Sequence, residues 1–163
     1  MDQAVVAGAR AAKHAKLVLK WCSNAVEPWA RVGAKPEHLS IQPMLGGLSN
    51  VLHKVQVRDP SVKTALESSH GPQTLLVRTF GANPTLVNRA KEQAIFDACD
   101  AAGVSPHMWA LDTELGLRAE EFLEGERMTI EQLRDEEYEL RMCPLVAQLH
   151  CVEVRRDVAH CCA

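Results

Sequence analysis

Residues 39–58 contain the pattern that most limits what this chain can fold into. A short segment with strand character, Leu39–Leu45, leads to Gly46 and Gly47, and residues 51–58 then alternate, with valine at most positions of one parity. A period of two places successive side chains on opposite faces of a strand. Paired glycines permit the tight turn that joins neighbouring strands. The pattern therefore predicts two antiparallel strands connected by a glycine turn.

The segments before and after this hairpin predict one helix, one loop and a third strand. Residues 4–30 are rich in Ala, Lys, Leu and Val, and their apolar residues at helical spacing predict an N-terminal helix that Pro28 ends. Residues 59–73 are rich in Pro, Gly and Ser, which predicts a mobile loop. Residues 74–81 form a strand-length apolar run with one arginine. Pro43, in the first strand segment, favours a sheet edge or a bulge.

The second half of the chain predicts another helix, two more strands and C-terminal helices. The Asn83-Pro84-Thr85 segment is a candidate cap for a helix that runs to Ala102 and ends at Gly103. Residues 106–111 and 116–123 flank a turn and predict two strands. Thr129 with Gln132 predicts a capping box, and Pro144 should kink or divide the helix that follows, whose apolar stripe comprises Tyr138, Met142, Leu145 and Leu149.

These elements together predict an α+β fold. We expect a five-stranded antiparallel sheet with the helix of residues 84–102 packed against it and flanking helices at both ends. The predicted organisation is an N-terminal helical segment at 1–38, a sheet with its helix and a hinge at 39–128, and C-terminal helices with a divergent tail at 129–163.

Composition excludes several classes of function. The chain has 163 residues, with 18 Lys plus Arg against 21 Asp plus Glu and a net charge of −3. Because the basic residues are scattered, we expect no nucleic-acid binding. No apolar run approaches the length of about 18 residues that a membrane span needs, which predicts a cytoplasmic protein.

The six cysteines show no spacing typical of a disulfide framework, which predicts free thiols, with Cys22 and Cys99 as small apolar core residues. The tail holds His150-Cys151 and His160-Cys161-Cys162. This cluster has ligand types that suit zinc, but its spacing matches no standard zinc finger. We therefore predict no metal site.

Three features could form a phosphate site. The glycine turn would let backbone N–H groups approach phosphate oxygens, and Arg78 in the third strand would supply a cation. On the next helix, Glu92 lies within about 60° of the apolar positions at 100° per residue, so its carboxylate should need a partner. The alternative is a plain hairpin with an Arg78–Glu92 ion pair that has only a structural role.

Four segments carry a resemblance to a known family. The segments are Leu45-Gly46-Gly47-Leu48-Ser49-Asn50-Val51-Leu52, Leu75-Leu76-Val77-Arg78-Thr79-Phe80-Gly81, Glu92 with Ile95-Phe96, and Glu120-Glu121-Phe122-Leu123-Glu124-Gly125. In that order and spacing, the chain resembles the N-terminal lobe of choline/ethanolamine kinases over roughly residues 17–150. The resemblance implies a kinase-like fold in which ATP is the phosphoryl donor.

The resemblance also implies roles for ten residues. The loop over the ATP phosphates would comprise Gly46, Gly47, Leu48, Ser49 and Asn50. Arg78 would contact phosphates in place of the usual strand-three lysine of protein kinases, and Glu92 would be its ion-pair partner. Backbone groups of Glu121 and Leu123 would bind adenine, and Phe122 would help to wall its pocket.

The family's catalytic aspartate, magnesium ligands and ammonium pocket belong to a C-terminal lobe, and the pattern H-x-D-x-x-x-x-N is absent from this sequence. We therefore expect no catalytic or magnesium-binding residue here, and choline or ethanolamine would bind only together with that lobe. One hypothesis is a fragment or short product of a phospholipid-synthesis kinase, inactive by itself. The other is a noncatalytic module that binds a nucleotide or a partner. Uncovered apolar surface predicts self-association, with a homodimer as its simplest form.

Overall fold

The computed structural model describes residues 3–44, 50–81, 88–126 and 128–154, with side chains from residue 11 onward. These residues belong to two compact units. The first unit comprises Met1–Ala82 with Met108–Phe122, and the second comprises Asn83–His107 with Leu123–Ala163.

The first unit contains a five-stranded antiparallel sheet. Its strands are β1 (Leu39–Met44), β2 (Asn50–Val57), β3 (Thr74–Phe80), β4 (Met108–Asp112) and β5 (Leu117–Glu121). Their order across the sheet is β1-β2-β3-β5-β4. The α+β class, the antiparallel sheet and its five strands are confirmed. Pro43 lies in the edge strand β1, where its missing N–H costs no ladder hydrogen bond on the open side.

The two faces of the sheet differ in chemistry because side chains alternate along each strand. One face is apolar and carries the core residues Val55, Val57, Leu75, Val77, Leu117 and Ala119, all fully buried. These residues pack with Val18, Cys22, Val26 and Trp29 from the N-terminal helices. The burial of these apolar side chains holds the N-terminal helices against the sheet.

The predicted N-terminal helix is two helices. Helix α1 spans Gln3–Ala25, and a short helix α2 spans Glu27–Arg31. Pro28 lies in the first turn of α2 rather than at the end of a helix, so the predicted stop at Pro28 is wrong. Proline fits the first turn because the backbone N–H groups there have no partner within the helix. Trp29 in α2 is fully buried, and its Nε1 donates to the Pro72 carbonyl at 2.6 Å.

Residues 59–73 are not the loop that we predicted, since helix α3 spans Pro60–Ser68. Asp59 caps it and accepts from the backbone N–H groups of Ser61 at 2.9 Å and Val62 at 3.1 Å. Val62 and Leu66, four residues apart, bury one side of the helix. An N-capping aspartate, a proline at the first helical position and an apolar pair four residues apart together indicate a helix. The high content of Pro, Gly and Ser in this segment indicates a loop instead, and that second signal gave the wrong prediction.

The second unit contains helices α4 (Arg89–Ala101) and α5 (Glu136–His150). The predicted cap at Asn83-Pro84-Thr85 lies outside the described residues, and the cap of α4 is Asn88, whose side chain accepts from the Lys91 N–H at 3.0 Å. Gly103 follows the helix with φ +67°, as predicted for a glycine stop. Because α4 and the sheet belong to different units, their predicted packing stays a prediction.

Helix α5 is preceded by the predicted capping box. Gln132 N–H donates to Thr129 Oγ1 at 3.2 Å, and Thr129 N–H donates to Gln132 Oε1 at 2.8 Å. These bonds precede a 3-10 turn at Gln132–Arg134, and Asp135 then caps α5. Pro144 lies inside α5 without dividing it. Among the described residues, no helix is both long and apolar enough to cross a bilayer.

The prediction that Cys22 and Cys99 are core residues with free thiols is confirmed, since both are free and buried. Burial raises the pKa of the Cys22 thiol to about 12, so this side chain stays protonated and behaves as a small apolar residue.

Two histidines meet between α1 and the apolar face of the sheet. The rings of His14 in α1 and His53 in β2 have centroids 5.6 Å apart, and His14 Nε2 lies 3.0 Å from Thr79 Oγ1 in β3. The Nδ1 atom of His53 is buried and has no hydrogen-bond partner within the described part of the chain. Burial, followed by the charge of His14, lowers the pKa of His53 below its ordinary value of 6.5.

This arrangement predicts a pH-dependent stability. Well above pH 6.5, His53 is neutral in both the folded and the unfolded chain. As the pH falls through 6.5, the unfolded chain takes up the proton first, so the free energy of unfolding decreases until the lower folded pKa is passed. We expect His53→Phe to reduce the slope of that free energy between pH 7.5 and 5.5 in urea titrations. Parallel slopes for the two proteins would show that His53 does not act in this way.

Candidate nucleotide-binding face

The second face of the sheet carries the charged side chains. Arg78 in β3 pairs in register with Leu52 in β2 and with Arg118 in β5. Leu76 and Glu120 form the next pair between β3 and β5. Because alternate residues share a face and register partners lie side by side, Arg78, Arg118 and Glu120 project from the same face, opposite the apolar core.

Glu120 holds two arginines. Its Oε1 accepts from Arg78 Nε at 2.8 Å and from Arg118 Nε at 2.7 Å, and its Oε2 accepts from Arg78 Nη2 at 3.2 Å. The Arg78–Glu120 contact is therefore bidentate, which fixes the plane of the guanidinium as well as its distance. These three side chains by themselves carry a net charge of +1. We call them the arginine–glutamate cluster.

The cluster sets the ionisation of Glu120. Burial alone would raise the pKa of this carboxyl, but the hydrogen bonds and positive charges of Arg78 and Arg118 outweigh burial and keep the pKa below its ordinary value of 4.5. Glu120 is only 2% exposed. The carboxylate is therefore charged at neutral pH and remains a fixed anchor for both guanidiniums.

The two arginines differ in exposure. The Arg118 side chain is 4% exposed, and its guanidinium carbon lies 5.5 Å from the centre of the Phe80 ring. The Arg78 side chain is 24% exposed. Of the pair, Arg78 is the cation that an incoming anion reaches more easily.

The predicted site residues are distributed as follows. Gly46, Gly47, Leu48 and Ser49 lie outside the described residues, between strands that pair antiparallel as far as Met44 and Leu52. Asn50 begins β2, and its side chain accepts from the Gly81 N–H at 3.4 Å, which ties the start of β2 to the end of β3.

The predicted Arg78–Glu92 pair joins residues of different units. Glu92 accepts from Arg89 Nη1 at 2.7 Å within α4 of the second unit, whereas Arg78 lies in the first. The pairing of Arg78 with Glu92 therefore stays a prediction. What the sequence analysis missed is that Arg78 also has a carboxylate partner within its own sheet.

The predicted hinge residues lie at the end of β5. Glu121 is the last residue of the strand and is exposed, and Phe122 follows it. The Phe122 ring lies beneath Lys54 of β2, with Nζ 4.1 Å from the ring centre. Leu123 belongs to the second unit and is 64% exposed. Their roles in adenine binding stay predictions.

Sequence reasoning overlooked Glu120, Arg118 and Lys54. A signal was present in β5, where charged Arg118 and Glu120 alternate with apolar Leu117 and Ala119. A strand that is apolar on one side and charged on the other implies a charged second face of the sheet. The register that brings residue 120 to residue 78 was not available from the sequence.

A bidentate anchor leaves a guanidinium planar, charged and oriented, which is the state that binds phosphate or carboxylate oxygens best. Within the described ranges, no group of three or more His, Cys, Asp or Glu side chains could hold a metal ion. The oriented guanidinium of Arg78 has the geometry that suits contact with anionic oxygens.

Comparison with known proteins identifies the family. A sequence profile described as choline/ethanolamine kinase matches residues 41–162. A human protein named choline/ethanolamine kinase is 27% identical over 139 residues, which are 83% of this chain and 33% of the human protein.

Two solved structures resemble the fold. Choline kinase from Cryptosporidium parvum matches with a TM-score of 0.56 and 19% identity, covering 72% of this chain and 29% of that one. Ethanolamine kinase from Plasmodium vivax matches with a TM-score of 0.57 and 16% identity. The match covers 80% of this chain and 34% of that one. The chain thus spans about a third of the length of these relatives. Since the family profile covers most of its residues, the chain belongs to the choline/ethanolamine kinase family.

Proposed function

We propose that the charged face of the sheet binds the phosphates of ATP, with Arg78 as the cation that contacts them. The observation that carries this proposal is the bidentate Arg78–Glu120 pair at 2.8 and 3.2 Å. A guanidinium that is already oriented loses little side-chain entropy when a phosphate binds. In the same proposal, the Gly46–Asn50 loop covers the phosphates, since it lies between β1 and β2 in the chain and β2 is a direct neighbour of β3 in the sheet.

The strand direction is consistent with a proposed position for the base end of the nucleotide. Arg78 lies near the end of β3 at which β2 begins, and β5 runs antiparallel to β3 and ends at Glu121. We assign the adenine to the backbone of Glu121 and Leu123, with Phe122 against the base, as the family resemblance implies. Glu92 is a second proposed carboxylate partner of Arg78.

The whole-protein activity proposed is transfer of the ATP γ-phosphoryl group to the hydroxyl of choline or ethanolamine, in phospholipid synthesis in the cytoplasm. The contribution of the present residues is to bind and orient the donor, because Arg78 neutralises phosphate charge and Glu120 fixes Arg78. Magnesium, when bound, would supply positive charge that offsets the charge of the phosphates. The described residues include no cluster of His, Cys, Asp or Glu fitted to hold it.

We propose that the 163 residues bind ATP through the charged face of the sheet, and that transfer of its phosphoryl group is an activity of the whole protein. A homodimer is also proposed, because α5 exposes the apolar side chains Leu140, Leu145, Val146 and Leu149. These side chains equally favour the alternative of a noncatalytic module that binds a partner.

The experiment is a titration of the chain with adenosine, AMP, ADP and ATP in a buffer that contains magnesium. Ligand-detected NMR measures the affinity for each ligand. We expect affinity to rise with each added phosphate and to fall with salt, because a charged contact is screened. Equal affinity for adenosine and ATP would contradict the phosphate assignment. Binding of none of the four would favour the partner-binding module.

A further inference from the structure

The charged face carries a third cation outside the arginine–glutamate cluster. Lys54 in β2 pairs in register with Leu76 in β3, and Leu76 pairs with Glu120 in β5. Lys54 therefore lies on the same face as Arg78, one repeat further along the strands. Two residues of a strand span about 7 Å, so the two cations occupy different positions along any ligand on this face.

The partner of Lys54 is an aromatic ring. Lys54 Nζ lies 4.1 Å from the centre of the Phe122 ring, well within the range at which an ammonium is attracted to the face of an aromatic ring. Both side chains are half-buried, which strengthens the attraction relative to a fully hydrated pair.

The location of Phe122 makes this contact consequential. Phe122 follows Glu121, the last residue of β5, so it lies beyond the ladder of hydrogen bonds that fixes the strand. The register of β3 with β5 likewise ends at the Leu75–Glu121 pair. The contact with Lys54 consequently holds the first residue beyond the sheet.

We propose that Lys54 is a positioning residue for the base end of the nucleotide site, acting through Phe122. By holding the ring, Lys54 fixes the chain at Glu121–Phe122 in the conformation that receives a planar heteroaromatic base. This assignment rests on the proposed function. It gives Lys54 and Arg78 separate tasks, since Lys54 serves the base and Arg78 the phosphates.

The test compares Lys54→Met, Lys54→Arg and Arg78→Met in binding of adenosine and of ATP, measured by ligand-detected NMR. We expect Lys54→Met to weaken both ligands by the same factor, about three- to tenfold. Lys54→Arg should keep both affinities close to those of the unaltered chain, because a guanidinium also binds an aromatic face. Arg78→Met should weaken ATP and leave adenosine unchanged.

The outcomes separate this proposal from the proposed function. If Lys54→Met weakens ATP alone, Lys54 is a phosphate contact and the assignment is overturned. If Lys54→Met leaves both affinities unchanged while Arg78→Met weakens ATP, only the Lys54 assignment fails. If the unaltered chain binds neither ligand, the proposed function fails and the assignment fails with it. Urea unfolding of Lys54→Met shows whether a change in affinity reflects loss of the fold instead, which would also overturn the positioning role.

Discussion

Replacement of Glu120 by glutamine should lower the free energy of unfolding by about 3 kcal/mol, because breaking a buried ion pair leaves uncompensated charge in the interior. Glu120 is 2% exposed and anchors both Arg78 and Arg118, so both guanidiniums lose the Glu120 carboxylate in the variant. Urea unfolding followed by tryptophan fluorescence measures the loss.

The neighbouring residue supplies the control. Glu121→Gln makes the same chemical change at an exposed side chain and should alter the free energy of unfolding by at most about 0.5 kcal/mol. Similar losses for the two variants would contradict the anchoring role of Glu120.

Acid should reproduce the effect of Glu120→Gln in the unaltered chain. The folded pKa of Glu120 lies below 4.5, so its contribution is present above that pH and is lost as the pH falls through the folded value. The variant lacks this group, so the stability difference between the two proteins should shrink on acidification. A difference that stays constant down to pH 3 would contradict the depressed pKa.

Replacement of Arg78 by methionine should weaken ATP binding by roughly ten- to a hundredfold, as expected for loss of a charged hydrogen bond worth about 1.5–3 kcal/mol. Methionine keeps part of the aliphatic stem and removes the charge. Arg78→Lys should recover only part of the affinity, because an ammonium cannot bind in the forked geometry that Glu120 imposes. Calorimetric titration gives the three affinities.

Arg58→Met is the matched control for Arg78. Arg58 is exposed beyond the end of β2, where its Nε donates to Ser40 Oγ at 2.8 Å. We expect its loss to leave ATP affinity within about twofold, since a single exposed charge contributes little. If the two substitutions weakened ATP binding equally, the effect of Arg78→Met would reflect the change in net charge and not a contact with phosphate.

The strands were predictable because their signal is local. Alternation in residues 51–57 and the short apolar run of residues 74–80 each specify a strand without knowledge of its neighbours. The same holds for the glycine stop at Gly103 and the capping box at Thr129, since each depends on residues three or four positions apart.

What escaped prediction depends on register or on competing local signals. Glu120 meets Arg78 across 42 positions of sequence, and only the pairing of β3 with β5 brings them together. Helix periodicity directed attention to Glu92 because a carboxylate beside apolar positions is visible within one helix. Helix α3 was missed because Pro60 was interpreted as a loop residue, although proline after a capping aspartate starts a helix.

The central claim is that the guanidinium held by Glu120 contacts nucleotide phosphates, and the Nε–Hε resonance of Arg78 in ¹⁵N NMR reports on that contact most directly. The Arg78→Met variant assigns the signal. We predict that this resonance shifts when ATP is added and stays in place when adenosine is added to the same saturation. An Arg78 resonance that stays unchanged while ATP shifts other signals of the chain would contradict the account.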